Sequence, residues 1–83
     1  MEVENIKKIC RNAAELVSDK TISRVKRSGG GISSWLVAFV DLSSVKISFD
    51  IENQTGLVKA RDKEDISFKF DPATLEVEEI PKQ

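Results

Sequence analysis

A rhythm of turns constrains this chain more than any single residue. After one helical stretch, turn-forming clusters recur at Ser28-Gly29-Gly30-Gly31, Asp41 to Ser44, Glu52 to Gly56, Asp62 to Asp65 and Asp71 to Thr74. The intervals between them are strand-sized and rich in Val, Ile and Phe. Such spacing predicts a meander of antiparallel strands preceded by one helix. Two turns are near-copies, Phe49-Asp50-Ile51-Glu52-Asn53-Gln54-Thr55-Gly56-Leu57-Val58 and Phe70-Asp71-Pro72-Ala73-Thr74-Leu75-Glu76-Val77. Aspartate at the start of a turn bonds nearby backbone amides. The repeat therefore predicts two corners of one sheet and not two binding sites.

The helix is expected over residues 3–18, where Ile6, Ile9, Cys10, Ala13, Leu16 and Val17 form one apolar stripe. Strands are expected over 21–28, 32–42, 45–51, 57–61, 66–70 and 75–80. Strand three alternates cleanly, with Val45, Ile47, Phe49 and Ile51 on one face and Lys46, Ser48 and Asp50 on the other. Trp35, Phe39, Phe49, Phe68 and Phe70 are all the aromatic residues of the chain, and their spacing places them on a single face for the helix to cover. Pro81 ends the last strand for want of a backbone donor, and Pro81-Lys82-Gln83 reads as a frayed tail. The fold class is α+β: one N-terminal amphipathic helix packed on a curled, mainly antiparallel meander sheet of five to six strands, in a single domain over 1–83.

The 83 residues fit one domain, and 40% hydrophobic with 33% charged residues fits a folded chain. A net charge of −1 gives no global attraction to nucleic acid or to an anionic membrane. The longest apolar run, Trp35 to Val40, is far too short for a membrane span. Cys10 is the only cysteine, so no disulfide forms within the chain, which favours a reducing compartment. Residues 1–20 lack the apolar core of a secretory signal, and a cytoplasmic location is expected.

The inventory for chemistry is poor. There is no histidine and no tyrosine. Cys10 lies on the apolar stripe of the helix, where a thiol packs as a small hydrophobe. A zinc site would normally draw on His or Cys ligands. Asp62-Lys63-Glu64-Asp65 lacks the spacing and glycine of a calcium loop, and Gly29-Gly30-Gly31 lacks the Lys-Ser/Thr ending of a phosphate loop. No catalytic residue, metal ligand or cofactor is expected, and the chain reads as a non-enzyme.

Two stretches suggest contacts. Strand two is apolar on both faces, and one helix covers only one. Leu36, Ala38 and Val40 on the second face are therefore closed by curling of the sheet or by a partner, and they form a candidate protein interface. Between Lys20 and Val40 every charge is positive: Lys20, Arg24, Lys26 and Arg27. This basic hairpin over 20–35 is a candidate contact for nucleic-acid phosphates. It also reads as a charged edge strand, neutralised if strand six, with Glu76, Glu78 and Glu79, lies beside it.

The hairpin from Phe49 to Val58, with its Asp and Thr-Gly-x-Val elements, resembles the strand-turn-strand hairpin of PepSY-type domains. The helix bearing Ala13-Ala14-Glu15-Leu16-Val17, followed by Trp35-Leu36-Val37, resembles in layout the gas vesicle protein O family. Both resemblances imply a small helix-plus-sheet module that is not an enzyme and acts through protein contacts. The expected function is a non-catalytic protein-interaction module, such as an adaptor, an inhibitor or an assembly subunit, with self-association to a homodimer among its forms. The alternative is a nucleic-acid-binding β-hairpin protein.

Overall fold

Helix α1 spans Val3–Ala14. Its apolar stripe buries Ile6, Ile9, Cys10, Ala13 and Ala14. Glu4 in the first turn and Arg11 in the last both suit the helix dipole. Glu2 stands at the N-cap without a side-chain hydrogen bond. The helix is shorter than the 3–18 expected. Beyond Ala14 the ladder tightens, with the Leu16 amide bonding Ala13 O and the Val17 amide bonding Ala14 O. Val17 stays in the core as part of a turn. The Lys63 ammonium donates to Val17 O at this end, a favourable place for a cation.

The computed structural model describes residues 2–29 and 33–81. Gly30, Gly31 and Ile32, which fall in the expected glycine loop and the start of strand two, lie outside the described residues, as do Lys82 and Gln83 of the expected tail. The strands are β1 (Ile22–Arg27), β2 (Ser34–Phe39), β3 (Ser44–Asp50), β4 (Thr55–Ala60), β5 (Ile66–Phe70) and β6 (Val77–Ile80). They form one six-stranded antiparallel sheet in the order β1-β2-β3-β4-β5-β6. The α+β class, the helix and the meander are as the turn rhythm predicts. The sheet is not closed. Yet α1 lies against β1, β2 and β3 and also against β6, so the sheet curls around the helix.

One expectation fails on topology. β1 and β6 are not neighbours; they occupy opposite ends of the sheet. A meander with every strand paired to the next leaves its first and last strands at the two edges. The basic and acidic strands cannot neutralise each other within the chain.

The covered face carries the core. Trp35, Val37, Phe39, Val45, Ile47, Val58, Phe68 and Phe70 are buried there against the helix. Full burial of such a side chain stabilises by about 1.5–3 kcal/mol each. Among the described residues no polar or charged side chain is buried. Phe49 stands edge-on to Phe68 and Phe70, with ring centroids 5.9 Å and 5.6 Å apart.

Asp50 and Asp71 build the two related corners. Asp50 accepts hydrogen bonds from the Asn53 amide at 3.2 Å and side chain at 2.7 Å. Asp71 accepts from the Ala73 amide at 2.8 Å and the Thr74 amide at 3.4 Å. Four residues after each aspartate the backbone turns left-handed, at Gln54 (φ 57°) and Leu75 (φ 67°). Gly56, expected in the turn, instead lies within β4 directly opposite Phe68. A Cβ at Gly56 would run into the Phe68 ring and lie 2.8 Å from Ser48 O. The glycine thus answers a packing demand of the strand and not a turn geometry.

Candidate functional site

The face of the sheet opposite the helix is built by the other half of each alternation. Registers fix its rows. Lys26 lies opposite Leu36, Leu36 opposite Lys46, and Lys46 opposite Lys59. A neighbouring row sets Arg24 beside Ala38 and Ala38 beside Ser44. Another runs Ser34, Ser48, Leu57, Ser67 and Ile80. The result is a half-buried apolar strip, Leu36 and Ala38, set among four cations.

No ion pair is seen at those four cations among the described residues. Among the described residues, ion pairs join Lys20 to Asp41 at 2.9 Å and Lys69 to Glu78 at 3.4 Å. Neither involves Arg24, Lys26, Lys46 or Lys59. Lys46 and Lys59 face each other directly, an arrangement that costs stability in an isolated sheet.

The β2–β3 turn adds an apolar tip. Val40 is 62% exposed and Leu42 95% exposed, and Leu42 holds a left-handed backbone at φ 75°. Both were expected inside strand two, but β2 ends at Phe39. The Asp41 carboxylate accepts from the Ser43 hydroxyl and from the Ser43 amide at 3.0 Å, which pins the turn. Lys20 completes the strap, bonding Asp41 at 2.9 Å and Ser43 Oγ at 3.1 Å while its ammonium lies 5.9 Å from the centre of the Phe39 ring. The Ser43 hydroxyl bond, then the Lys20 bond, hold the Asp41 carboxyl well below the usual carboxylate range. Leu42 borders a shallow groove of about 510 Å³ with Leu36, Lys46, Lys59 and Arg61.

The structure thus divides the two candidate groups. Of the basic group, only Arg24 and Lys26 share the uncovered face; Lys20 straps the turn, and Arg27 stacks 5.6 Å from the Trp35 ring on the other side. Of the apolar group, Leu36 and Ala38 lie on the uncovered face and Val40 opens the turn beside them. Lys46, Lys59, Leu42 and Arg61 were missed. Lys46 was legible as a polar-face residue, but its meeting with Lys59 depends on a register that the Thr-Gly position did not reveal.

Other features point to structure. Burial pushes the Cys10 thiol up to about 12. A larger hollow of about 710 Å³ lies beside the β5–β6 corner, lined by Lys69, Asp71, Glu76 and Glu78 among others. Among the described residues no three His, Cys, Asp or Glu side chains gather to hold a metal ion, and no helix is long and apolar enough to cross a membrane. The fold and this surface define a small α+β domain with one sheet face covered by its helix and one left open. The chain matches no family model, and no curated protein or solved structure proves similar to it.

Proposed function

We propose that this protein is a small non-catalytic interaction module that takes an acidic protein surface on its uncovered sheet face. Leu36, Ala38 and Leu42 supply the apolar anchor, and Arg24, Lys26, Lys46 and Lys59 meet the partner's carboxylates. The observation that carries this reading is the Lys46–Lys59 pair beside Leu36. Two like charges opposed across strands destabilise the free chain and are relieved by an anionic partner. The lone cysteine, buried as a thiol, suits a reducing compartment such as the cytoplasm.

The same cations support a second reading, contact with nucleic-acid phosphates. The aromatic residues weigh against it for single strands, because all of them lie on the covered face and none offers a stacking platform.

Amide shifts of the labelled protein separate the two readings. A peptide alternating Glu and Leu is expected to perturb β2, β3 and β4. Lys46→Glu with Lys59→Glu should weaken it at least about tenfold, and Leu36→Ser should also weaken it. An oligonucleotide that binds more tightly than the peptide, and is indifferent to Leu36→Ser, transfers the surface to nucleic acid. Binding of neither ligand at about millimolar concentration overturns both readings.

A further inference from the structure

The geometry points to head-to-tail association of this chain with copies of itself, through the β1 edge of one copy and the β6 edge of the next. Both strands are sheet edges, each paired on one side only. The Ser28 amide bonds Ser34 O, so the inward-bonded residues of β1 are Ser28, Lys26 and Arg24. Antiparallel pairing alternates, so the amides and carbonyls of Val25 and Arg27 turn outward. On β6 the Asp71 amide bonds Glu76 O, which makes Glu76 and Glu78 inward-bonded and turns Val77 and Glu79 outward. Among the described residues, no backbone hydrogen bond from a turn or loop reaches Val25, Arg27, Val77 or Glu79.

The two edges match in direction, face and charge. In an antiparallel meander of six strands the first and last run oppositely, so β1 of the next copy meets β6 antiparallel. With Val25 set opposite Val77, two outward-bonding residues meet on the covered face. The same register sets Arg24 opposite Glu78 and Lys26 opposite Glu76 on the uncovered face. Opposite charges directly across strands stabilise the pair. Pairing β1 with another β1, or β6 with another β6, sets like charges together and is disfavoured. The charges that blunt each edge against its own kind thus leave one pairing open. Such a contact is heterologous, closing as a ring or propagating as a chain. It shares Arg24 and Lys26 with the surface proposed above but makes no use of Lys46, Leu36 or Lys59, so variants at those three positions tell the two interactions apart.

Sedimentation of the full chain between about 10 μM and 1 mM tests it, in salt from about 20 mM to 500 mM. Association is expected at low salt and should weaken as salt rises. The variants Arg24→Glu/Lys26→Glu and Glu76→Lys/Glu78→Lys should each lose association at least about tenfold. An equimolar mixture of the two should recover it, since each supplies the edge that the other needs. The chain carrying all four reversals should recover it alone, which shows that the reversals leave the fold intact. A wild type that stays monomeric throughout overturns the proposal. So does association that ignores the reversals, or that is lost in the variants and not restored on mixing. Lys46→Glu should leave this assembly unchanged while weakening the acidic peptide, so the two proposals fail separately.

Discussion

Trp35 and Leu36 are neighbours in the chain and opposites in the fold. Trp35 is sealed between α1 and the sheet, among Val, Ile and Phe side chains, with Arg27 stacked over its ring. Leu36 faces the other way, half-buried between Lys26 and Lys46. On the covered face the apolar side chains of the central strands β2 to β5 are buried or packed against the core. On the open face, apolar and cationic residues stand in rows that no element of the described chain covers. The difference teaches that the doubly apolar β2 is not doubly buried. One side of the strand holds the fold together, and the other is spared for contact.

Truncation across this pair gives the largest contrast. Trp35→Ala should cost about 3–5 kcal/mol, because it removes a large side chain and leaves a cavity that α1 cannot fill. In a chain of this size that is a large share of the whole stability. Leu36→Ala should cost less than about 1 kcal/mol, because its outer side already faces water. Urea denaturation of the two variants checks the ordering. Equal losses would mean that the open face is covered, by curling or by a second copy.

The covered face also sets a limit at Gly56, where it is thinnest. The Phe68 ring lies against Gly56 across the β4–β5 pair, with Ser48 O behind. Gly56→Ala gains about 0.5–1 kcal/mol in backbone terms where a strand has room. Here the methyl must displace a buried ring or a strand backbone, and the net loss should be about 1–3 kcal/mol. Thermal unfolding of Gly56→Ala reads the sign directly. An unchanged or raised midpoint would show that the aromatic cluster yields at this point.

Much of this was legible in the sequence because it rested on local patterns. The alternation over 45–51, the helical stripe and the Asp-led corners each follow from a few adjacent residues. Their structural counterparts are β3, α1 and the Asp50 and Asp71 turns. What failed was non-local or depended on one dihedral. Gly56 looked like a turn residue, yet Gln54 takes the left-handed backbone, because Asp50 bonds Asn53 and so fixes where the chain reverses. Leu42 looked like strand, yet Asp41 and Ser43 fold it into a turn. The candidate surface suffered most. Lys46, Lys59 and Leu36 are separated in the chain and joined only by register. Arg24 and Arg27 are three residues apart in one strand and so belong to opposite faces.

The smallest expected effect lies where the two faces meet, at the strap of Lys20, Asp41 and Ser43. The Asp41 carboxyl is held below the usual range first by the Ser43 hydroxyl, then by Lys20. A carboxyl depressed in the folded chain stabilises it above the unfolded value of about 3.9, and that contribution fades as pH falls below it. The group is exposed, so salt and solvent keep the contribution small. A carboxyl titration by NMR should find Asp41 still ionised where an unfolded aspartate is half protonated. Ser43→Ala should raise its midpoint more than Lys20→Met, since the hydroxyl bond is the larger cause. Should Asp41 titrate normally, the strap is loose in solution. The exposed Leu42 would then owe its left-handed backbone to something other than the turn's hydrogen bonds, and the division between the packed and the open face would blur at that end of the sheet.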